Sequence, residues 1–234
     1  VQDDRLAIGI WGWGRGEESW LIWWGEIYGD PAQAPVWESI DEMLYREIPG
    51  SGDTRFKIIS AAVDTGGHHT QEVYRYCRDR GPKVIAVKGS SKPNQPILGK
   101  PTPQDVDYGG QKIKNGVQLW PVGTDTAKAT IYGRLKILEP GPGYVHFAVG
   151  VDEEFFRQLT GEKRITKYVK GFPKHEWVKI RRNEGLDVTV YAYAAAIRAG
   201  IDRVDWDRLE GRALQPLPKR ERPKPIQQPR GPRW

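Results

Sequence analysis

Apolar and polar positions alternate at the start of the chain. Leu6, Ile8 and Ile10 fall on one side of an extended backbone and Ala7, Gly9 and Trp11 on the other, which predicts a strand through Trp13. Gln2-Asp3-Asp4 and Gly14-Arg15-Gly16-Glu17-Glu18 read as turns, and Ser19 to Tyr28, with Trp20, Trp23 and Trp24, reads as the partner strand of a hairpin. From Trp37 the apolar spacing lengthens to three and four (Ile40, Met43, Leu44, Ile48), the period of a helix stopped by Pro49-Gly50-Ser51-Gly52. Phe56 to Val63 is a mostly apolar run and predicts one strand buried on both faces, ending at Asp64-Thr65-Gly66-Gly67. A helix follows from Gln71 to Arg80 with Val73, Tyr74 and Cys77 inward, then a short buried strand from Lys83 to Val87. Strand, helix and strand in succession indicate an α/β sheet with parallel members.

The pattern fails over residues 89–116. Pro93, Pro96, Pro101 and Pro103, with many Gly, Ser and Lys residues, predict a long irregular loop. Its lysines and Lys88 suit either a phosphate-contacting arm or a solvated surface. Val117 to Val122 is a strand, and Gly123-Thr124-Asp125-Thr126-Ala127-Lys128 opens a helix running to Leu138. That opening is either a phosphate site with Lys128 or an ordinary cap by Thr124 or Asp125. Tyr144 to Val149 is a strand and Asp152 to Leu159 a short helix. Two strands, Arg164 to Lys170 and Glu176 to Ile180, form a basic hairpin around Gly171-Phe172-Pro173. It leads into Asn183-Glu184-Gly185-Leu186-Asp187 and a helix ending at Ala199. Glu184 and Asp187 stand three apart, so they share a helix face and can aim at one point. Carboxylates in a first turn also complement the helix dipole without any ligand.

Composition alters this picture in three places. The 234 residues carry a formal charge of +6, but residues 212–234 alone hold seven cations against Glu221, so residues 1–211 are neutral overall. Basic character is therefore a matter of local patches. A short element is expected from Trp206 to Leu209; residues 1–210 are expected to form one domain and 211–234 a disordered, basic, Pro-rich tail. The single Cys77 excludes a disulfide framework or cysteine-rich zinc site, and His68, His69, His146 and His175 lack zinc spacing. There is no P-loop signature and no apolar run of membrane-spanning length.

Five motifs now stand in order: Trp11-Gly12-Trp13-Gly14 with Glu17-Glu18-Ser19-Trp20, then Val63-Asp64-Thr65-Gly66-Gly67, Gly99-Lys100-Pro101, Gly123-Thr124-Asp125-Thr126-Ala127-Lys128, and Arg182-Asn183-Glu184 with Asp187. Over roughly residues 1–200 this resembles the C-terminal nuclease domain of the lambda-type phage terminase large subunit. The resemblance implies an RNase H-like fold, a mixed sheet with helices on both faces. It also implies a metal-dependent endonuclease that cuts concatemeric viral DNA for packaging, in the cytoplasm of the bacterial host. Three carboxylates are implied at the sheet. The second maps onto Asp64 and the third onto Glu184, with Asp187 one turn along as an extra ligand or supporting group. Such oxygen donors suit Mg²⁺ or Mn²⁺, two ions in the complete domain. Lys100 maps onto a lysine that reaches the scissile phosphate. The candidate contacts to double-stranded DNA are Lys88, Lys100, Lys128, Lys179, Arg181 and Arg182. The terminase small subunit and the portal are the implied protein partners.

In the family the first strand and its acid come immediately before the segment that Val1-Gln2-Asp3-Asp4-Arg5 resembles. The resemblance thus implies a fragment that lacks its central first strand, one carboxylate and an ATPase motor domain, and is catalytically impaired as it stands. Two other readings remain open on the residues: another RNase H-like nuclease of the resolvase or transposase type, and a non-catalytic DNA-binding or assembly module.

Overall fold

The computed structural model describes residues 1–213, in two units divided after Val204. In the first unit, β1 (Arg5–Trp13) and β2 (Ser19–Tyr28) form the expected antiparallel hairpin, with a register shift at Ile10/Trp11. Helix α1 (Ala34–Tyr45) buries Val36, Trp37 and Leu44. It stops before Ile48, which belongs to the short strand β3 (Glu47–Pro49) paired with β4 (Arg55–Lys57). The single buried strand expected over 56–63 is therefore two: exposed β4, then β5 (Ala61–Asp64). Phe56 and Ile59 are exposed, so that apolar run reflects surface residues on a small hairpin rather than burial on two faces. Helix α2 (Thr70–Asp79) buries Val73, Tyr74, Tyr76 and Cys77, and β6 (Val84–Gly89) follows.

The largest departure lies at 89–116. Instead of one long loop, β7 (Thr102–Tyr108) and β8 (Gln111–Val122) form an antiparallel hairpin. It turns on Gly109 and Gly110, both at positive φ, as a tight two-residue hairpin turn requires. Of the prolines in 89–116 only Pro103 falls in a strand, and its strand β7 lies at the sheet edge, where proline is tolerated. Most of its residues are exposed, so no apolar alternation marks it. Only 90–101 remain irregular. Helix α3 (Thr124–Arg134), strand β9 (Val145–Phe147), helix α4 (Glu153–Leu159), strands β10 (Glu162–Val169) and β11 (Phe172–Lys179) and helix α5 (Glu184–Ala199) complete the unit. In the second unit α6 (Trp206–Ala213) runs past the expected boundary at 210; residues 214–234 of the expected tail lie outside the described residues.

Strand order is β1-β2-β9 in one sheet and β5-β6-β8-β7 in another, with β5, β6 and β8 parallel. Period-two alternation along β6 shows how the layers stack. Val84 and Ala86 enter a core with Leu6, Trp37, Val73 and Cys77, whereas Ile85 and Val87 enter a second core with Leu21, Ile131, Phe155, Leu186 and Val190. Helices α1 and α2 thus cover one face and α3, α4 and α5 the other. Each core takes residues from both sheets, and α5 packs on β1 and on β5.

Candidate metal centre

Asp64 is the last residue of β5, level with Val87 of β6. Buried Thr65 fixes the strand end: its N–H and its hydroxyl both donate to the Val87 carbonyl, at 2.9 and 3.0 Å. The chain then turns back, so that the Gly66 N–H donates to Asp64 Oδ1 at 3.1 Å. Tyr191 of α5 hydrogen-bonds the same carboxylate through its hydroxyl. Burial, then the charges of Asp64 and Asp187, raise the Tyr191 pKa well above the tyrosine range, so it stays a donor.

The N-terminus of α5 brings the other two acids. Asn183 opens the helix without capping it by its side chain. First-turn donors find other acceptors: the Gly185 N–H donates to Gln158 Oε1 of α4 at 3.1 Å. Leu186, Val190 and Ala194 point into the core, and Glu184, Asp187 and Tyr191 follow at three- and four-residue steps. The Asp187 carboxyl is pushed up to about 6. Burial is the main cause; Lys128 opposes it, Glu162 and Asp64 add to it, and Lys179 opposes it weakly. Asp187 and Asp64 therefore repel each other across the gap between α5 and β5. Val1 lies near the same three carboxylates. Asp64 and Asp187 are thus within electrostatic reach of each other, and Glu184 stands one turn before Asp187 on α5.

They are not equivalent. Glu184 Oε2 accepts from Arg182 Nε at 3.3 Å, and Arg182 also donates to Glu26 Oε1 of β2 at 2.7 Å. Burial works to raise the Glu26 carboxyl, but Tyr28, Arg182 and Arg5 together hold it below its ordinary value. Asp187 has no such guanidinium in its balance and is the acid coupled to Asp64. These donors are all carboxylate oxygens, which fits a hard divalent cation better than a soft one. Among the described residues no group of three or more His, Cys, Asp or Glu side chains is placed to hold a metal ion.

Behind Asp187 lies a carboxylate that the sequence did not single out. Glu162, the first residue of β10, is buried at 6% exposure and accepts from Lys128 Nζ through both oxygens, at 2.7 and 2.8 Å. Asn183 Nδ2 donates to Glu162 Oε1 at 2.7 Å, and the Tyr132 hydroxyl to the Glu162 carbonyl at 2.5 Å. Lys128, expected as a DNA contact, is thus committed to an internal ion pair at 12% exposure. The surrounding backbone is tightly apposed. A Cβ on Gly161 would meet the Arg182 carbonyl at 2.3 Å, so only glycine lets α4, the β10 root and the start of α5 meet here.

The remaining candidates stand around this centre. Lys88 follows Val87 on β6, is exposed, and is level with Pro121 of β8. The Gly99 N–H donates to the Pro121 carbonyl at 2.8 Å, which sets exposed Lys100 beside the same strand ends. Arg181 and Arg182 line a cleft of about 350 Å³ with Glu154 and Arg157. Tyr191 and Glu162 had no place in the sequence motifs, and Asn183 stood in one without a role of its own. Tyr191 had a usable signal in its position seven residues beyond Glu184, on the same helix face.

These features define a mixed α/β domain with an acidic centre where a parallel strand ends and a helix begins. The chain belongs to the terminase large subunit gpA endonuclease domain family, whose model matches residues 1–206. It is 37% identical over 215 residues to the terminase large subunit of Escherichia phage lambda, covering 88% of this chain and 32% of that relative. It is 32% identical over 217 residues to the terminase large subunit of Enterobacteria phage P21, again covering 88% and 32%. The chain therefore spans about a third of the length of the curated relatives it matches. No solved structure matches it.

Proposed function

We propose that this chain is a metal-dependent DNA endonuclease domain that cuts concatemeric viral DNA during packaging, and that Asp64 and Asp187 hold the metal with Glu184 beside them. The approach of Asp187 to Asp64, with Asp187 half-buried and its pKa pushed up to about 6, carries the reading. Such a pair wants a positive charge between its members. Bound Mg²⁺ or Mn²⁺ would supply an activated water and stabilise charge on the phosphate.

The side chains of the domain do the rest. Gly66 and Tyr191 hold the Asp64 carboxylate by hydrogen bonds, and α5 holds Asp187 opposite it. Lys88 and Lys100, fixed about Pro121 at the strand ends, meet the phosphates of double-stranded DNA. Lys179, Arg181 and Arg182 meet them on the α5 side. Lys128 braces Glu162 and takes no part in DNA contact. The fold reading goes with the chemistry: β1-β2-β9 and β5-β6-β8-β7 are two parts of one RNase H-like mixed sheet, because both feed the same two cores and α5 bridges β1 and β5. In the assembly, the small subunit and the portal are the partners of the whole large subunit.

The test is calorimetric titration of the chain with Mn²⁺. Binding is expected, with a loss of about tenfold or more in Asp64→Asn and in Asp187→Asn. A chain that takes up no Mn²⁺ in the millimolar range overturns the nuclease reading in favour of a non-catalytic module. In the complete large subunit, Asp64→Asn is expected to abolish plasmid linearisation while leaving DNA retention in a gel-shift assay intact.

A further inference from the structure

The β10–β11 hairpin is built unlike the rest of the domain. Its root is fixed: Glu162 is bound by Lys128 and Asn183, and Trp177 packs on Tyr132 at 4.9 Å between ring centroids. Beyond Arg164 and Trp177 it pairs with no further strand among the described residues, and nearly every position is exposed. Five residues of rise carry it about 17 Å outward. A free two-stranded ribbon is marginally stable in water, so this one is suited to a surface that it lies against.

Its composition identifies that surface. Residues 163–179 hold six cations against Glu176, and Glu176 is answered by Lys167 at 2.6 Å. The end of the ribbon is apolar instead. Tyr168 stands opposite Pro173, and Val169 opposite Phe172, around a Lys170-Gly171 turn with both residues at positive φ. Tyr168 is 75% exposed, Phe172 76% and Val169 50%. A protein partner complementary to the tip alone would have no use for the charged shaft. Duplex DNA matches both parts: phosphates along the shaft, and a base step at the tip, where apolar side chains wedge between bases in groove-binding proteins. The ribbon also returns directly to the centre, since only residues 180–183 separate β11 from Glu184.

We infer that the β10–β11 hairpin is an arm that lies in a groove of the DNA, its lysines on the phosphates and its apolar tip, with Tyr168 on one face and Phe172 on the other, seated at a base step, so that it sets the duplex against the acidic centre. This rests on the endonuclease reading for its ligand, and it adds a local distortion of the duplex that the metal centre alone does not require.

The test compares Tyr168→Ser/Phe172→Ser with Lys170→Gln/Lys174→Gln in the whole chain. All four positions are exposed, so circular dichroism should be unchanged. Binding is measured in EDTA, without cleavage, on a duplex carrying aminopurine. The aromatic pair is expected to lose about tenfold in affinity and to abolish the aminopurine brightening of an unstacked base, with an unaltered salt slope. The lysine pair is expected to lower the salt slope by about two and keep the brightening. Aromatic variants that bind and brighten like the unsubstituted chain overturn the inference, whatever the lysines do. Calorimetric Mn²⁺ uptake by the same variants separates the two readings: intact uptake with no arm effect removes the arm and leaves the endonuclease, whereas a chain that binds no DNA removes both.

Discussion

Glu162 and Asp187 are neighbouring carboxylates, one buried and one half-buried, with opposite circumstances. Glu162 is fully answered: a lysine ammonium on both oxygens, an asparagine amide, and a place at the start of a strand. Asp187 makes no such bonds to Lys128; it feels the lysine's charge across space, together with the opposing charges of Glu162 and Asp64. Burial alone does not make an acid functional. What distinguishes the two is whether the protein supplies the counter-charge itself. Around Glu162 it does, which braces the junction of α3, β10 and α5. Around Asp187 the charges of Lys128 and Lys179 fall short of what burial, Glu162 and Asp64 add, and the deficit is what an external cation would fill.

The largest expected effect breaks the self-contained pair. Lys128→Met leaves the Glu162 carboxylate buried and unpaired, and should cost about 3–5 kcal/mol in urea unfolding. Lys128→Met/Glu162→Leu should recover most of that loss, since an ion pair is costly chiefly when half of it is removed. A double variant as unstable as the single one would show that packing, not charge, explains the site.

Next comes the unanswered acid. The folded-state pKa of Asp187, about 6, lies above its ordinary 3.8, so the folded chain holds a proton that the unfolded chain has released. The stability tied to this group is fully present below pH 3.8 and is lost as the pH climbs through about 6. The span corresponds to about 3 kcal/mol. Urea midpoints should fall across that window, Asp187→Asn should flatten the fall, and Mn²⁺ at pH 7 should restore the unsubstituted chain. A midpoint indifferent to Mn²⁺ would refute the counter-charge account. The smallest effect is Asn183→Ala, which removes one hydrogen bond to Glu162 and should cost about 2 kcal/mol in the same melts, with Mn²⁺ uptake retained.

Elements with strong apolar periodicity were legible in the sequence: the first hairpin, α2, β6 and the apolar face of α5. So were Asp64 at a strand end and the Glu184/Asp187 pair on one helix face. The hairpin at 102–122 was not, because its polar, exposed strands carry no alternation and its prolines resemble loop punctuation. Lys128 was placed on the right helix but given the wrong neighbour. Its partner, Glu162, lies 34 residues away and meets it only through tertiary packing. Tyr191 carried no mark of its own in the sequence; its hydroxyl reaches Asp64 because α5 packs on β5.

Cys77 lies on the inner face of α2 at 2% exposure, and burial pushes its thiol above the usual cysteine range despite the opposing charge of Arg80. It is the sole cysteine of the chain. Protonated at neutral pH and closed to solvent, it should be silent toward maleimides and disulfide reagents while the domain stays folded. The molecule is thus a chemically blank background, on which a thiol introduced at Lys100 or Lys170 would be the one site to take a label. Reaction of Cys77 itself would in turn report unfolding of the core.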